Sequence, residues 1–335
     1  NLKMINKEPF IRLNNQPLVK EFDINTEGKD YFVGDIHGTF KRLKEALNAI
    51  GFDGKKDRLF CCGDLVDRGG SHRDMLDIIG QDWFHACLGN HDDMLLTVFE
   101  NSDLMTPEEE KEPHDIIELP VRQLNKETGK YENVGVKKMT YEEYYQAAVA
   151  HGDRVFLKDF SIPEMKVLRK YMESLPLMMR IKTHNGDIGM VHAEIPLGRT
   201  FQETIDWISG KDWSEAPVAR EYLFWGERAR YLPYDADMLF MTIFNCCSQQ
   251  EQVDNIVNKT AQDLYLLYMG HNIMPVKLKS FHKGDVERRL EFDTKHLKFI
   301  DHGSFVADQI ETDAYGLGIY DNKGEMILWL DTDPI

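Results

Sequence analysis

The sequence predicts an α/β fold, and two features carry the prediction. Short apolar runs ending at glycine recur through residues 31–89, and each leads into a stretch with apolar residues at helical spacing. Tyr31-Phe32-Val33 runs into Gly34, Arg58-Leu59-Phe60-Cys61-Cys62 into Gly63, and Trp83 to Leu88 into Gly89. Phe40, Leu43, Ala46, Leu47 and Ile50 then mark a helix closed by Gly51. Arg73 to Ile79 marks a shorter one closed by Gly80, and Asp92 to Phe99 begins a third. Strands alternating with helices at this spacing make βαβ units with a parallel sheet.

Downstream, Ile162 to Leu175 reads as a helix stopped near Pro176. Leu177–Ile181 and Ile188–Val191 read as a hairpin around Asn185-Gly186, because an Asn-Gly pair adopts the left-handed turn that joins twisted strands. Leu264–Met269, His296–Ile300, Leu317–Tyr320 and Glu325–Leu330 are four late strands, and Thr140 to Ala150 is a helix. Residues 1–30 are polar and mixed, and the run Glu108-Glu109-Glu110-Lys111-Glu112 reads as a solvated helix or loop.

Of the 335 residues, 42% are hydrophobic, enough for a sizeable core and too many for a chain disordered throughout. No 18-residue apolar stretch exists, so no transmembrane helix is expected. A net charge of −17 argues against duplex nucleic acid or an anionic membrane as partner. The five cysteines, at 61, 62, 87, 246 and 247, form no CxxC motif and make a poor disulfide framework. They read as reduced thiols, which places the expected location in the cytoplasm.

The chemistry concentrates in three loops. Gly34-Asp35-Ile36-His37-Gly38, Gly63-Asp64-Leu65-Val66-Asp67-Arg68-Gly69 and Gly89-Asn90-His91-Asp92 each follow a strand and precede a helix. In a parallel sheet all three emerge at the carboxyl edge, where ligands bind. Helix capping and turn closure account for the Asp and Gly residues. They do not account for a histidine in two of the loops, nor for the Asp67-Arg68 pair. Carboxylate and imidazole together suit divalent Mn, Fe or Zn.

In this order the motifs resemble the phosphoprotein phosphatase family of the metallophosphoesterase superfamily, most of all its bacteriophage lambda-type Ser/Thr phosphatases. Gly51-Phe52-Asp53 and Val191-His192-Ala193, with Pro196 behind, extend the likeness. The resemblance implies an α-β-β-α sandwich: an N-terminal extension over 1–30, then a catalytic domain over 31–335 with helical insertions at about 101–150 and 197–262. The insertions would lie over the metal edge. Two divalent ions are implied, Mn2+ first, with Fe or Zn as alternatives. One ion would take Asp35, His37 and Asp64, and the other Asp64, Asn90, His192 and His271, with Asp64 bridging. Met269-Gly270-His271-Asn272 departs at Asn272 from the family's usual Gly-His-Thr.

The implied reaction is hydrolysis of a phosphomonoester by metal-activated water. His91 would serve as general acid, Asp67 as its orienter and Arg68 as the phosphate clamp. Phe224-Trp225-Gly226-Glu227-Arg228-Ala229-Arg230 resembles a further phosphate-binding stretch, with Arg228 the first choice and Arg230 the second. The substrate implied is a phosphorylated protein or a small phosphoester. Diadenosine tetraphosphate hydrolases of the same superfamily usually carry Ala where Asp67 stands, which favours the phosphatase; Leu95-Leu96-Thr97-Val98-Phe99 looks more like the hydrolase. A nucleotide or nucleic-acid-end phosphatase is the remaining alternative. Among the other histidines, His302 is a candidate for the substrate edge; His72, His85, His114, His151, His184, His282 and His296 read as surface or loop residues.

Overall fold

Strand and helix formation here follows two periodicities, and the structure resolves them into layers. It is a computed structural model that describes residues 17–101, 116–125, 130–140, 143, 152–196, 198–209, 223–224, 258–274, 276, 296–310 and 313–331. The strands are β1 (Val19–Phe22), β2 (Asp30–Val33), β3 (Arg58–Cys61), β4 (Phe84–Ala86), β5 (Ile116–Asn125), β6 (Lys130–Thr140), β7 (Met178–Ile181), β8 (Ile188–Val191), β9 (Leu266–Met269), β10 (Leu297–Phe299), β11 (Leu317–Tyr320) and β12 (Met326–Leu330). The helices are α1 (Phe40–Ala49), α2 (Asn90–Asn101), α3 (Ile162–Glu173) and α4 (Phe201–Ser209). A 3-10 turn over His72–Asp77 takes the place of the short helix expected from Arg73 to Ile79.

One sheet has the order β12-β11-β2-β3-β4 and the other β1-β7-β8-β9-β10; β5 and β6 form a separate two-stranded ribbon. Strands β2, β3 and β4 run parallel, as do β8, β9 and β10. Strands β7 and β8 pair antiparallel across the expected hairpin turn.

Alternation along each strand sorts side chains to opposite faces. Phe32, Phe60, Met190, Leu266 and Tyr268 fill the layer between the sheets. The Phe32 ring stacks on Phe60 at 5.5 Å and on Tyr268, across the layer, at 4.7 Å. Their neighbours Tyr31, Val33, Leu59 and Cys61 face outward and pack with Phe40, Leu43 and Leu47 of α1. On the other sheet the guanidinium of Arg180 in β7 lies over the Phe201 ring of α4. Helices thus cover the outer faces of two stacked sheets, the α-β-β-α sandwich expected. Cys61, Cys62 and Cys87 are buried free thiols of the core.

Strand β1 lies in the polar N-terminal stretch, where no element was expected. It pairs parallel with β7 at the sheet edge, and Phe22 alone of its four residues is buried, meeting Phe60 edge-on. The ribbon β5–β6 occupies the 101–150 region. The run Glu108–Glu112 lies outside the described residues, as does the helix expected over Thr140–Ala150, except for Thr140, which ends β6, and Glu143.

Candidate metal centre

Parallel pairing aligns the ends of β2, β3 and β4, so the three glycine-bounded loops emerge together at one edge. Strands β8 and β9 end at the same edge and are followed by His192 and His271. The loops take sharp backbone turns to achieve this. Among the described residues, six non-glycine positions have positive φ, and five of them are His37 (44°), Asp64 (51°), Asp67 (68°), Arg68 (72°) and His271 (63°). Left-handed backbone costs an L-residue on the order of 1 kcal/mol or more, and such strain gathers where function fixes side-chain direction.

The side chains converge on Asp64. Its Oδ2 lies 3.4 Å from His37 Nε2 and 3.4 Å from His192 Nε2, on two sides, while Oδ1 accepts the His91 amide at 2.9 Å. His37 Nδ1 donates to the Val66 carbonyl at 2.8 Å and His192 Nδ1 to the Cys62 carbonyl at 3.1 Å. A carbonyl only accepts, so each neutral ring keeps a lone pair on Nε2. For His192 that lone pair faces Asn90 Oδ1 at 2.8 Å as well as Asp64. Asn90 Oδ1 is also 3.1 Å from His271 Nδ1. Acceptors aimed at acceptors are reconciled by a cation, and anchoring the far ring nitrogen on a carbonyl is how proteins orient metal-ligating histidines.

Two groups of ligand atoms lie within 4.8 Å of one another: His37, Asp64 and His91, and Asp64, His192 and His271. The second group matches the expected second metal set, with Asn90 beside it. In the first, His91 stands where Asp35 was expected. Asp35 instead turns both carboxylate oxygens to the His271 amide, at 3.1 Å each, and shares a side-chain hydrogen bond with Asp301.

The electrostatics point the same way. Burial, then the charges of Asp301 and Asp64, push the Asp35 carboxyl well above the usual carboxylate range. Burial raises Asp64 to about 6 and Asp301 to about 6, and lowers His192 to about 3. The residues fit divalent cations: buried carboxylates and neutral imidazoles become favourable together once positive charge sits among them.

Beside this cluster lies a second arrangement. His91 Nδ1 donates to Asp67 Oδ2 at 2.7 Å, and His91 Nε2 lies 3.3 Å from Arg68 Nη2. The Arg68 guanidinium is exposed and rests over the Phe305 ring, 4.7 Å from its centroid. Burial opposes charge on His91, but the Asp67 hydrogen bond and the nearby Asp64 carboxylate outweigh it and raise its pKa above the ordinary imidazole value.

The expected residues Asp35, His37, Asp64, Asp67, Arg68, Asn90, His91, His192 and His271 are therefore brought to one edge. Arg228 and Arg230 lie outside the described residues. His302 is buried, with Nδ1 on the Met274 carbonyl and Nε2 on the Tyr320 hydroxyl, so its ring belongs to the fold and not to a substrate edge. His72 is buried too, not a surface residue: its ring stacks on Phe156 at 4.0 Å and packs beneath Gly38.

Two acids at the edge had no role in the sequence reading. Asp92 accepts the amides of Leu65 at 2.8 Å and Gly89 at 2.9 Å, tying the second loop to the third. Asp301 backs Asp35 and accepts the Gly303 amide at 2.9 Å. Asp92 closes a motif already singled out; Asp301 follows β10 and precedes His302-Gly303, another strand ending at an acid and a glycine.

Among known proteins, serine/threonine-protein phosphatase 2 of Escherichia coli (strain K12) is 41% identical over 73 residues, 22% of this chain and 34% of that protein. The symmetrical bis(5'-nucleosyl)-tetraphosphatase of Proteus mirabilis (strain HI4320) is 39% identical over 71 residues, 21% and 26% respectively. These matches span a third or less of either relative's length. A solved cold-active protein tyrosine phosphatase covers 92% of this chain and 77% of its own at 15% identity, with a TM-score of 0.43, a level that bears no weight on function. The calcineurin-like phosphoesterase family model matches residues 31–271, from the start of the first glycine-bounded strand to the last of the converging histidines. With most of its length and the whole loop cluster inside that match, the chain belongs to the calcineurin-like phosphoesterase family.

Proposed function

We propose that the chain is a phosphomonoesterase acting on phosphoserine and phosphothreonine in proteins, with a dinuclear centre of Mn2+, or alternatively Fe or Zn. The observation that carries the reading is the Asp67–His91 pair, 2.7 Å long and set beside the cation-fitting cluster. Divalent ions held by Asp35, His37, Asp64, Asn90, His192 and His271 would supply Lewis acidity toward the phosphoryl oxygens and a water of lowered pKa.

The chain's own groups do the rest. The Asp67 carboxylate accepts from Nδ1, so the exchangeable proton of His91 sits on Nε2, at the open side. His91 donates that proton to the leaving oxygen, and its raised pKa keeps it charged into the neutral range. Arg68 presents its guanidinium fork to two phosphoryl oxygens, held in place by the Phe305 ring. An alkoxide leaving group needs such an acid; the mononucleotide leaving group of a dinucleoside polyphosphate is already a good one.

A second reading, hydrolysis of diadenosine tetraphosphate, is favoured by the match to the Proteus mirabilis enzyme and weakened by Asp67. The test is a panel of phosphoserine and phosphothreonine peptides, diadenosine tetraphosphate and p-nitrophenyl phosphate, each assayed with Mn2+ and after chelation. Turnover of the peptides that chelation abolishes and Mn2+ restores is the expected result. Turnover of diadenosine tetraphosphate alone would replace the first reading with the second, and turnover untouched by exhaustive chelation would overturn both.

A further inference from the structure

We propose that a cavity at the opposite pole of the sandwich from the loop cluster binds a small phosphate-bearing anion. The cavity, about 450 Å³, opens at the amino end of β2 and at the turns β7–β8 and β11–β12, and so lies between the two sheets. Its volume is in the range of small-molecule sites. In a chain of net charge −17, its rim carries Lys29, Lys182, Lys323 and His184, one basic group or more from each of the three segments.

The acids beside it are largely engaged. Both oxygens of Asp30 are forked by Arg58, each at 2.8 Å. Asp321 Oδ1 accepts the amides of Lys323 at 2.8 Å and Glu325 at 3.1 Å. Lys182 is paired at 2.9 Å with the exposed Asp23, while among the described residues Lys29 and Lys323 have no carboxylate in ion-pair range. A phosphate dianion would supply the counter-charge these ammonium groups lack.

The frame is built before any ligand arrives. Asn25 Oδ1 accepts the amides of Glu27 and Gly28, and its Nδ2 donates to the Lys56 carbonyl at 2.8 Å, pinning the loop that carries Lys29. Thr183 Oγ1 donates to the Gly186 carbonyl at 2.6 Å, closing the turn that carries His184. The Tyr268 hydroxyl donates to the Asp321 carbonyl from inside the sandwich. Ile24 and Ile327, 36% and 44% exposed, add an apolar flank that an organic phosphate would cover and inorganic phosphate would not.

The experiment maps lysine acetylation by a water-soluble acylating reagent, site by site, on the metal-loaded protein. The two probes are inorganic phosphate and the methylene phosphonate analogue of AMP, whose P–C bond is not hydrolysed; chloride at equal ionic strength is the control. Binding slows acetylation of Lys29, Lys182 and Lys323 together by the factor 1 + [L]/Kd, about tenfold near ten times Kd, while Lys170 on α3 is unaffected. Protection by phosphate alone assigns the site to inorganic phosphate, and protection by the analogue at lower concentration assigns it to an organic phosphate. The double variant Lys29→Ala/Lys323→Ala should lose protection at Lys182 and keep full hydrolytic activity. Unchanged rates with both probes, equal slowing of every lysine, or protection of Lys182 surviving in the double variant would each overturn the proposal.

Discussion

Replacing His91 with Asn separates leaving-group chemistry from cation binding. The His91 contact to Asp64 is made by its backbone amide, so Oδ1 of Asp64 keeps its partner whatever the side chain. Asn can still donate to Asp67 from its own amide, so the cost to folding is about 1 kcal/mol, the net worth of one hydrogen bond. What disappears is the proton at the open side of the ring. General-acid assistance is worth about 10²–10⁴-fold, or about 3–5 kcal/mol of barrier. It is needed when a serine alkoxide leaves and hardly at all when p-nitrophenolate leaves. His91→Asn should therefore bind the wild-type amount of metal, keep most of its rate on p-nitrophenyl phosphate and lose about 10²-fold or more on a phosphoserine peptide. The assay is kcat on both substrates with metal content measured on the same preparation. Equal losses on the two substrates, with metal intact, would show that His91 steadies the phosphoryl group and is not the proton donor.

Other perturbations test neighbouring steps. Asp64→Asn removes the one carboxylate that faces imidazoles on two sides, so metal content by elemental analysis should fall below two per chain and activity should vanish; two retained ions would refute the bridging role. Asp67→Asn removes the group that raises the His91 pKa. The acid must be protonated, so activity is present below its pKa and lost as pH rises through it; the alkaline limb of kcat/KM on phosphoserine peptides should move to lower pH, and an unmoved limb would detach Asp67 from His91. Gly38→Ala places a Cβ at φ +68°, 2.1 Å from the His72 ring, at a cost of about 1 kcal/mol for the backbone and at least as much again for the clash. Its Tm should fall by several degrees, and an unchanged Tm would mean that the His72–Phe156 stack yields freely.

The site was more legible than the frame around it because its signals are local. A strand ending at glycine, then Asp and His, can be read from five consecutive residues, and Asp35, His37, Asp64, Asn90 and His91 were read that way. His192 and His271 needed the family pattern as well, since one histidine after one strand is common. Asp301 escaped because its partner, Asp35, is 266 positions away and no spacing links them. His72 escaped for the same reason: its burial depends on Phe156, which comes from a distant turn. Strand β1 was invisible because an edge strand with one buried residue in four has no alternation to read. The ribbon β5–β6 leaves Ile116, Val121, Val134 and Val136 exposed, so no buried face imprints a period on its sequence.

The loop cluster draws on both sheets: Asp35, Asp64 and Asn90 come from the ends of β2, β3 and β4, and His192 and His271 from the ends of β8 and β9. Cations held among them would act as rivets between two layers that otherwise meet through Phe32, Phe60, Tyr268 and their neighbours. Metal occupancy then becomes part of the mechanical integrity of the domain as well as of its chemistry. Each ion that binds the folded chain and not the unfolded one adds about 2.7 kcal/mol at a hundred times its Kd, and that energy is delivered across the seam where the sheets could part. The edge that handles substrate is, by this construction, also the clasp of the sandwich.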